Sequence, residues 1–89
     1  MRTRKGFVLR TLGKEFILTA EGLEAQGFDA MISMNESAAF LWKAVDGKDF
    51  NTEALINLLM EEYGISREVA EKDVTTMVHE WKRMKIVED

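Results

Sequence analysis

Apolar positions repeat with a strand-like period in the first part of the chain and with a helical period in the rest, so strands followed by helices are expected. In FVLRTLGKEFILT, residues 7–19, Phe7 and Leu9 mark one face of a strand and residues 16–18 form an apolar run, with Gly13-Lys14 between them. The spacing predicts a hairpin, closed either by a two-residue type II′ turn with Gly13 first or by a three-residue loop over residues 12–14. Residues 20–29, with Gly22 and Gly27, predict a polar loop. A third strand is expected over residues 30–34, with Ala30, Ile32 and Met34 on one face and Met31 and Ser33 on the other.

That strand runs straight into a helix. Asn35 stands where an N-cap is needed to accept from an otherwise unpartnered N–H, and Glu36 suits the positive end of the helix dipole. The first helix is expected over residues 36–45, with Ala38, Leu41, Trp42 and Val45 as its core stripe and Asp46-Gly47 as its stop. Phe40 points away from that stripe, either to cover the hairpin or a sheet edge or to stand exposed at a partner site. Asn51 or Thr52 caps a second helix, whose Leu55, Ile56, Leu59, Met60 and Tyr63 share a face and whose end is marked by Gly64. Ser66 caps a third helix over about residues 67–84, and a buried Ile65 makes the connection a tight helix-turn-helix. KIVED closes the chain as a short strand or an ordered tail. The fold class expected is α+β, a small antiparallel three-stranded sheet followed by three helices, in a single domain of residues 1–89.

Composition narrows the possible functions. The 89 residues are 46% hydrophobic and 31% charged, as in soluble domains, and no apolar run approaches the ~18–20 residues of a membrane span. A basic start, MRTRKG, is followed by Arg10, Lys14 and Glu15, which break any signal-peptide core, and with no Cys the cytoplasm is the expected compartment. Residues 1–20 carry five bases against one acid, net +4; the remaining residues carry seven bases against fifteen acids, net −8. Such an asymmetry either marks solvated faces or steers an acidic partner to the basic end.

Catalytic chemistry is sparse. His79 falls on the outward arc of the third helix without converging carboxylates, which is the pattern of a solvated histidine rather than a metal ligand. The six Gly are scattered at turns and form no phosphate loop. Ser33, Ser37 and Ser66 have no base at triad spacing, and Glu61-Glu62 lies on a polar helix end. The expectation is therefore a binding module with no catalytic residue, no metal and no cofactor. DNA is the first partner a helix-turn-helix suggests, but the third helix sets Arg67, Lys72, Lys82 and Arg83 against Glu68, Glu71, Asp73 and Glu80 and is neutral. Phosphate neutralisation requires a basic surface, so no nucleic acid is expected.

A peptide accounts for more residues. On the third helix Ala70, Val74, Val78 and Trp81 centre the buried stripe. Met77 and Met84 extend it on one side, toward Asp73, Glu80, Val69 and Thr76, whereas Glu71, Lys82, Thr75, Glu68 and His79 make the other side polar. Met77 and Met84 either fill gaps under the hairpin or offer adaptable contacts to a partner. If the third strand is an edge, its unpaired main-chain groups beside that flank form a groove that an extended peptide can enter as an added strand. The candidate peptide-binding residues are Ala30, Met31, Ile32, Ser33, Met34, Val69, Asp73, Thr76, Met77 and Glu80.

The ordered motifs Met34-Asn35-Glu36, Leu41-Trp42, Asp46-Gly47, Thr52, Asp73-Val74 and Lys85-Ile86-Val87 resemble the PqqD family, the peptide chaperones of pyrroloquinoline quinone synthesis and their relatives that recognise ribosomally made, modified peptides. The resemblance covers about residues 5–88. It departs at Met34, where Leu is usual, and at Lys85, where a Gly commonly ends the third helix, so that the last turn is expected to end differently. The resemblance implies a winged helix-turn-helix domain that binds the leader of a precursor peptide between the third strand and third helix. It further implies presentation to a maturation enzyme, a radical-SAM protein in the quinone pathway and a cyclodehydratase, peptidase or other maturase in relatives. A DNA-binding winged helix and a module whose edge pairs with a second copy are the alternatives, the expected state being a monomer or an edge-paired dimer.

Overall fold

The computed structural model describes residues 1–21 and 31–89; most of the expected loop over residues 20–29, and the expected first strand residue Ala30, lie outside them. The element order is β1 (Arg2–Thr3), β2 (Phe7–Leu12), β3 (Glu15–Ala20), β4 (Met31–Met34), α1 (Glu36–Val45), α2 (Thr52–Tyr63), α3 (Arg67–Arg83) and β5 (Val87–Glu88). Strands β2, β3 and β4 form an antiparallel sheet in that order, followed by the three helices, as the periodicity predicts. Leu12 pairs with Glu15 across Gly13-Lys14, which settles the hairpin as the two-residue form. Gly13 has φ +63° and Lys14 is not left-handed, the pattern of a type II′ turn.

The sheet packs one face on the core, while Ile17 is buried on the other. Phe7, Leu18 and Met34 on the core face are closed off from solvent, and Leu9, Phe16, Ala20 and Ile32 on it pack against the same core. The helices supply the other half with Leu41, Trp42, Leu55, Leu59, Ala70, Val74 and Trp81, all buried. At the centre the Trp42 and Trp81 rings meet edge to face, centroids 5.3 Å apart at 81°, a geometry that aligns the positive edge of one ring with the negative face of the other.

Each helix starts on the expected cap. Asn35, Asn51 and Ser66 accept from the N–H groups of Ala38, Ala54 and Val69 at 2.8, 2.8 and 3.3 Å, so Asn51 rather than Thr52 opens α2. Gly64 closes α2 in the left-handed region, φ 62°. Two positions differ from expectation. Phe40 meets Tyr63 of α2 edge to face, centroids 6.0 Å apart, a contact the spacing of α1 does not suggest. Tyr63 itself, placed by its spacing in the apolar stripe, is 39% exposed, since the last turn of α2 projects past the elements that bury Leu55 and Leu59.

The end of α3 carries the one non-glycine residue with a positive φ among the described residues. The helix stops at Arg83, with Met84 as its cap, and Lys85 turns left-handed at φ 61°. Lys85 N–H donates to the Lys82 carbonyl and Ile86 N–H to the Trp81 carbonyl, both at 3.1 Å, which is the Schellman pattern. The helix therefore ends as it would with a Gly in that place. The turn delivers Ile86 and Val87 to the core and β5 to β1, where Arg2 pairs with Glu88 and Thr3 with Val87. The buried Thr3 hydroxyl donates to Asp46 Oδ1 at 2.7 Å and accepts from Gly47 N–H at 3.2 Å, tying this ribbon to the end of α1. No helix among the described residues is long and apolar enough to cross a membrane.

Two stability changes follow. An L-residue in the left-handed region costs roughly 1–2 kcal/mol, partly offset by the entropy a Gly loses on folding, so Lys85→Gly should stabilise the protein by ~1 kcal/mol, a rise of about 4–8 °C in Tm. Trp42→Ala or Trp81→Ala should cost ~3–5 kcal/mol, measured by denaturant melts; a melt within a couple of degrees of wild type would show that the ring carries no core contact.

Candidate functional site

Strand β4 is an edge: β3 lies on one side of it and no described strand on the other. Which of its main-chain groups are free follows from the hairpin. In a two-residue hairpin the residues flanking the turn exchange both hydrogen bonds, and such pairs alternate along the ladder. Leu12 and Glu15 are that pair, so Ile17 and Thr19 direct their N–H and C=O groups to β2, while Phe16 and Leu18 direct theirs to β4. Phe16 is opposite Met34 and Leu18 opposite Ile32. Met34 and Ile32 are therefore bonded to β3, and the N–H and C=O of Ser33 and Met31 face outward along the open edge.

A groove of about 320 Å³ lies beside this edge. Its strand wall is Ile32, Ser33 and Met34, its helix wall is Met77, Glu80, Trp81 and Met84 of α3, and Asn35 and Ala38 close it at the start of α1. Five of the ten candidate residues, Ile32, Ser33, Met34, Met77 and Glu80, are thus brought together. Asp73 and Thr76 line an adjoining cavity of about 410 Å³ between α1, α2 and α3. Met31 is 74% exposed, on the face of the sheet opposite the groove. Val69 is 48% exposed and borders neither cavity, being a full turn nearer the start of α3 than Asp73. Ala30 lies outside the described residues.

The candidate residues left out Asn35, Ala38, Trp81 and Met84, although Met84 had been named beside Met77 as a contact open to a partner. Met84 shares the Met77 flank of the helical wheel, so its placement was readable. Ala38 and Trp81 carried only the signal of core residues, and nothing in the period of α1 shows that its first turn faces α3.

The groove walls are apolar, with charge at the rim. Arg83 donates to Glu80 Oε2 at 2.6 and 3.0 Å, and that hydrogen bond holds the Glu80 carboxyl below the usual carboxylate range. Elsewhere on α3, Arg67 grips Glu53 of α2 through two 2.7 Å contacts, and Lys82 lies 3.4 Å from Asp89. The bases of α3 are thus largely occupied by acids of the same chain, which leaves little positive surface for a phosphate backbone. Among the described residues no group of three or more His, Cys, Asp or Glu side chains could hold a metal ion. What this arrangement offers is a row of main-chain donors and acceptors beside apolar pockets.

The family model described as coenzyme PQQ synthesis protein D matches residues 14–87. No curated protein matches the sequence. Among solved structures, TbiB1 in complex with the TbiA(beta) leader peptide shares the fold: the likeness covers 99% of this chain and 95% of that one with a TM-score of 0.74, at 18% sequence identity.

The ladder parity has a direct readout in amide exchange. Ile32 and Met34 N–H should be protected and Ser33 N–H should exchange far faster, by hydrogen–deuterium exchange NMR. The inverse order would mean that β4 is shifted by one residue, which would also turn Met34 out of the core.

Proposed function

Because the chain belongs to the PqqD family, we propose that it is a peptide chaperone that takes the leader segment of a ribosomally made precursor as a strand added to β4 and presents it to a maturation enzyme. The observation that carries this is the coincidence of two features: the outward-facing main-chain groups of Ser33 and Met31, and the Met77–Met84 groove on the face where Ile32 and Met34 point. Main-chain bonds to an edge supply affinity irrespective of sequence, and alternate side chains reaching pockets supply choice. The leader peptide present with TbiB1, which shares this fold, supports the same kind of ligand here. The protein acts by binding rather than by chemistry, in the compartment where precursor peptides leave the ribosome, and the enzyme it serves is a radical-SAM protein if the product is the quinone cofactor.

Pairing of two copies through β4 is favoured by the same open edge. It differs in consequence, since added leader would then dissolve the dimer, which sedimentation detects.

Titration of isotope-labelled protein with a synthetic precursor leader peptide should shift the amides of residues 31–34 and of α3 from Asp73 to Met84. Ser33→Pro should abolish the outward donor without removing a bond to β3, and Met77→Ala should empty a pocket; both should weaken binding, the latter by about 5- to 30-fold, equivalent to ~1–2 kcal/mol. Circular dichroism should show both variants folded. His79→Ala and Lys82→Ala, on the polar side of α3, should leave affinity unchanged; loss of binding in these two with retention in Met77→Ala would place the ligand on the wrong face for strand addition.

A further inference from the structure

The three-stranded sheet has a second open edge. Strand β2 lies on the side opposite β4, and no described strand flanks it there. The ladder parity that frees Ser33 on β4 also fixes this edge. Leu12, Arg10 and Val8 exchange main-chain bonds with Glu15, Ile17 and Thr19, so the N–H and C=O groups of Leu9 and Thr11 face outward. Edge strands are ordinarily kept from pairing by Pro, Lys, a bulge or a very short length. In FVLRTL, the six residues of β2, there is neither Pro nor Lys, and the register with β3 runs unbroken from Phe7 to Leu12. The solvent face of the strand carries two large apolar side chains instead, Val8 at 42% and Leu12 at 56% exposed, with Arg10 between them.

We infer that β2 pairs with β2 of a second copy of this chain, antiparallel about a two-fold axis, to give a continuous six-stranded sheet. The pattern of the strand selects both partner and register. Only residues with outward main-chain groups can exchange bonds, so a symmetric pairing that uses both sets Leu9 opposite the partner's Thr11 and Thr11 opposite the partner's Leu9. The axis then passes beside Arg10, and on the solvent face Val8 meets the partner's Leu12 and Leu12 the partner's Val8. An isologous contact needs a surface complementary to itself, and this register covers the two exposed apolar side chains of the edge with each other. Its one unfavourable pair is Arg10 against the partner's Arg10. Each guanidinium is held by Glu21 of its own chain through contacts of 2.6, 2.7 and 3.1 Å, which offsets the charge. The pairing leaves β4 untouched, with the two β4 edges at the far ends of the six-stranded sheet. It therefore stands apart from the leader-binding function, whereas pairing through β4 would occupy the leader's own place. Main-chain bonds over so short an edge and two apolar pairs make an interface smaller than the ~1,200 Å² of stable complexes, so the dimer is a reversible one populated at about 0.1–1 mM.

Sedimentation equilibrium at concentrations up to about 1 mM should show this dimer. Amide exchange compared at low and high concentration should slow at Leu9 and Thr11, with Val8 and Arg10 protected at both. Leu12→Lys, at an exposed position, should weaken association about 2- to 30-fold, because two-fold symmetry counts the lost pair twice, and Ser33→Pro on β4 should leave association unchanged. A crosslink reads the register directly, since the chain has no cysteine. Residues facing each other in a non-hydrogen-bonded antiparallel pair lie about 4.5 Å apart at Cα, within the ~4.4–6.8 Å that a disulfide spans. Oxidised glutathione should therefore crosslink Arg10→Cys into a dimer and leave Lys14→Cys, at the hairpin tip, as monomer. A monomer at every concentration, or crosslinking of Lys14→Cys as readily as of Arg10→Cys, overturns the inference. A dimer that Ser33→Pro or added leader peptide dissolves, and Leu12→Lys does not, is paired through β4 and overturns it equally.

Discussion

The passage from β4 into α1 through a single residue is the constraint on which the site depends. Asn35 is extended, at φ −75° and ψ 172°, while its side chain already accepts from Ala38 N–H and its carbonyl from Ala39 N–H. With no loop to absorb a shift, the alternation of the strand and the phase of the helix are locked together. Met34 must enter the core when Ala38 does, Ser33 must then face out, and the first turn of α1 must abut the groove. A slip of one residue would put Ser33 against Leu18 and Phe16 in the core and expose Met34, exchanging an apolar side chain for an unpartnered hydroxyl.

The opposite wall is held as firmly. Trp81 carries α3 against Trp42, the Schellman turn sends Ile86 and Val87 into the same core, and the β1–β5 ribbon follows from it. At the other end Arg67 joins α3 to Glu53 of α2, but both side chains are about half exposed, so this pair adds little beside the buried contacts. Both walls of the groove are thus set by the core before any ligand arrives, which lowers the ordering cost of binding. The flexible parts are Met77 and Met84, half-buried side chains that can adjust to different ligand residues without moving backbone.

The charge asymmetry of the chain has a local rather than a global meaning. Arg2 lies 3.1 Å from Asp49, and Arg10 grips Glu21 at 2.6 Å and holds that carboxyl below its usual range. Two of the five bases of the first twenty residues are thereby paired with acids of the later chain, which reduces the contrast between the two stretches. Charge counted along a sequence is blind to such long-range pairing.

Much of the architecture was written locally. Asn35, Asn51 and Ser66 as caps, Gly13 and Gly64 as left-handed turns, and the stripes of α1 and α3 act over a few residues, where hydrogen-bond geometry and side-chain period leave few choices, so the sequence by itself determined three strands, three helices and their order. It also singled out the strand residues Ile32, Ser33 and Met34 and the Met77–Glu80 flank. Tertiary structure decided what depends on which elements become neighbours. The ribbon of Arg2–Thr3 with Val87–Glu88 has strands too short to show a period. The left-handed Lys85 is imposed by the need to bury Ile86 against Trp81, overriding the preference for Gly. That Asp73, Thr76 and Leu59 border a separate cavity, that Ala38 lines the groove, and that Val69 stands apart from both, all follow from how α1 and α2 cross α3, and packing angles between helices are not encoded in the period of any one of them.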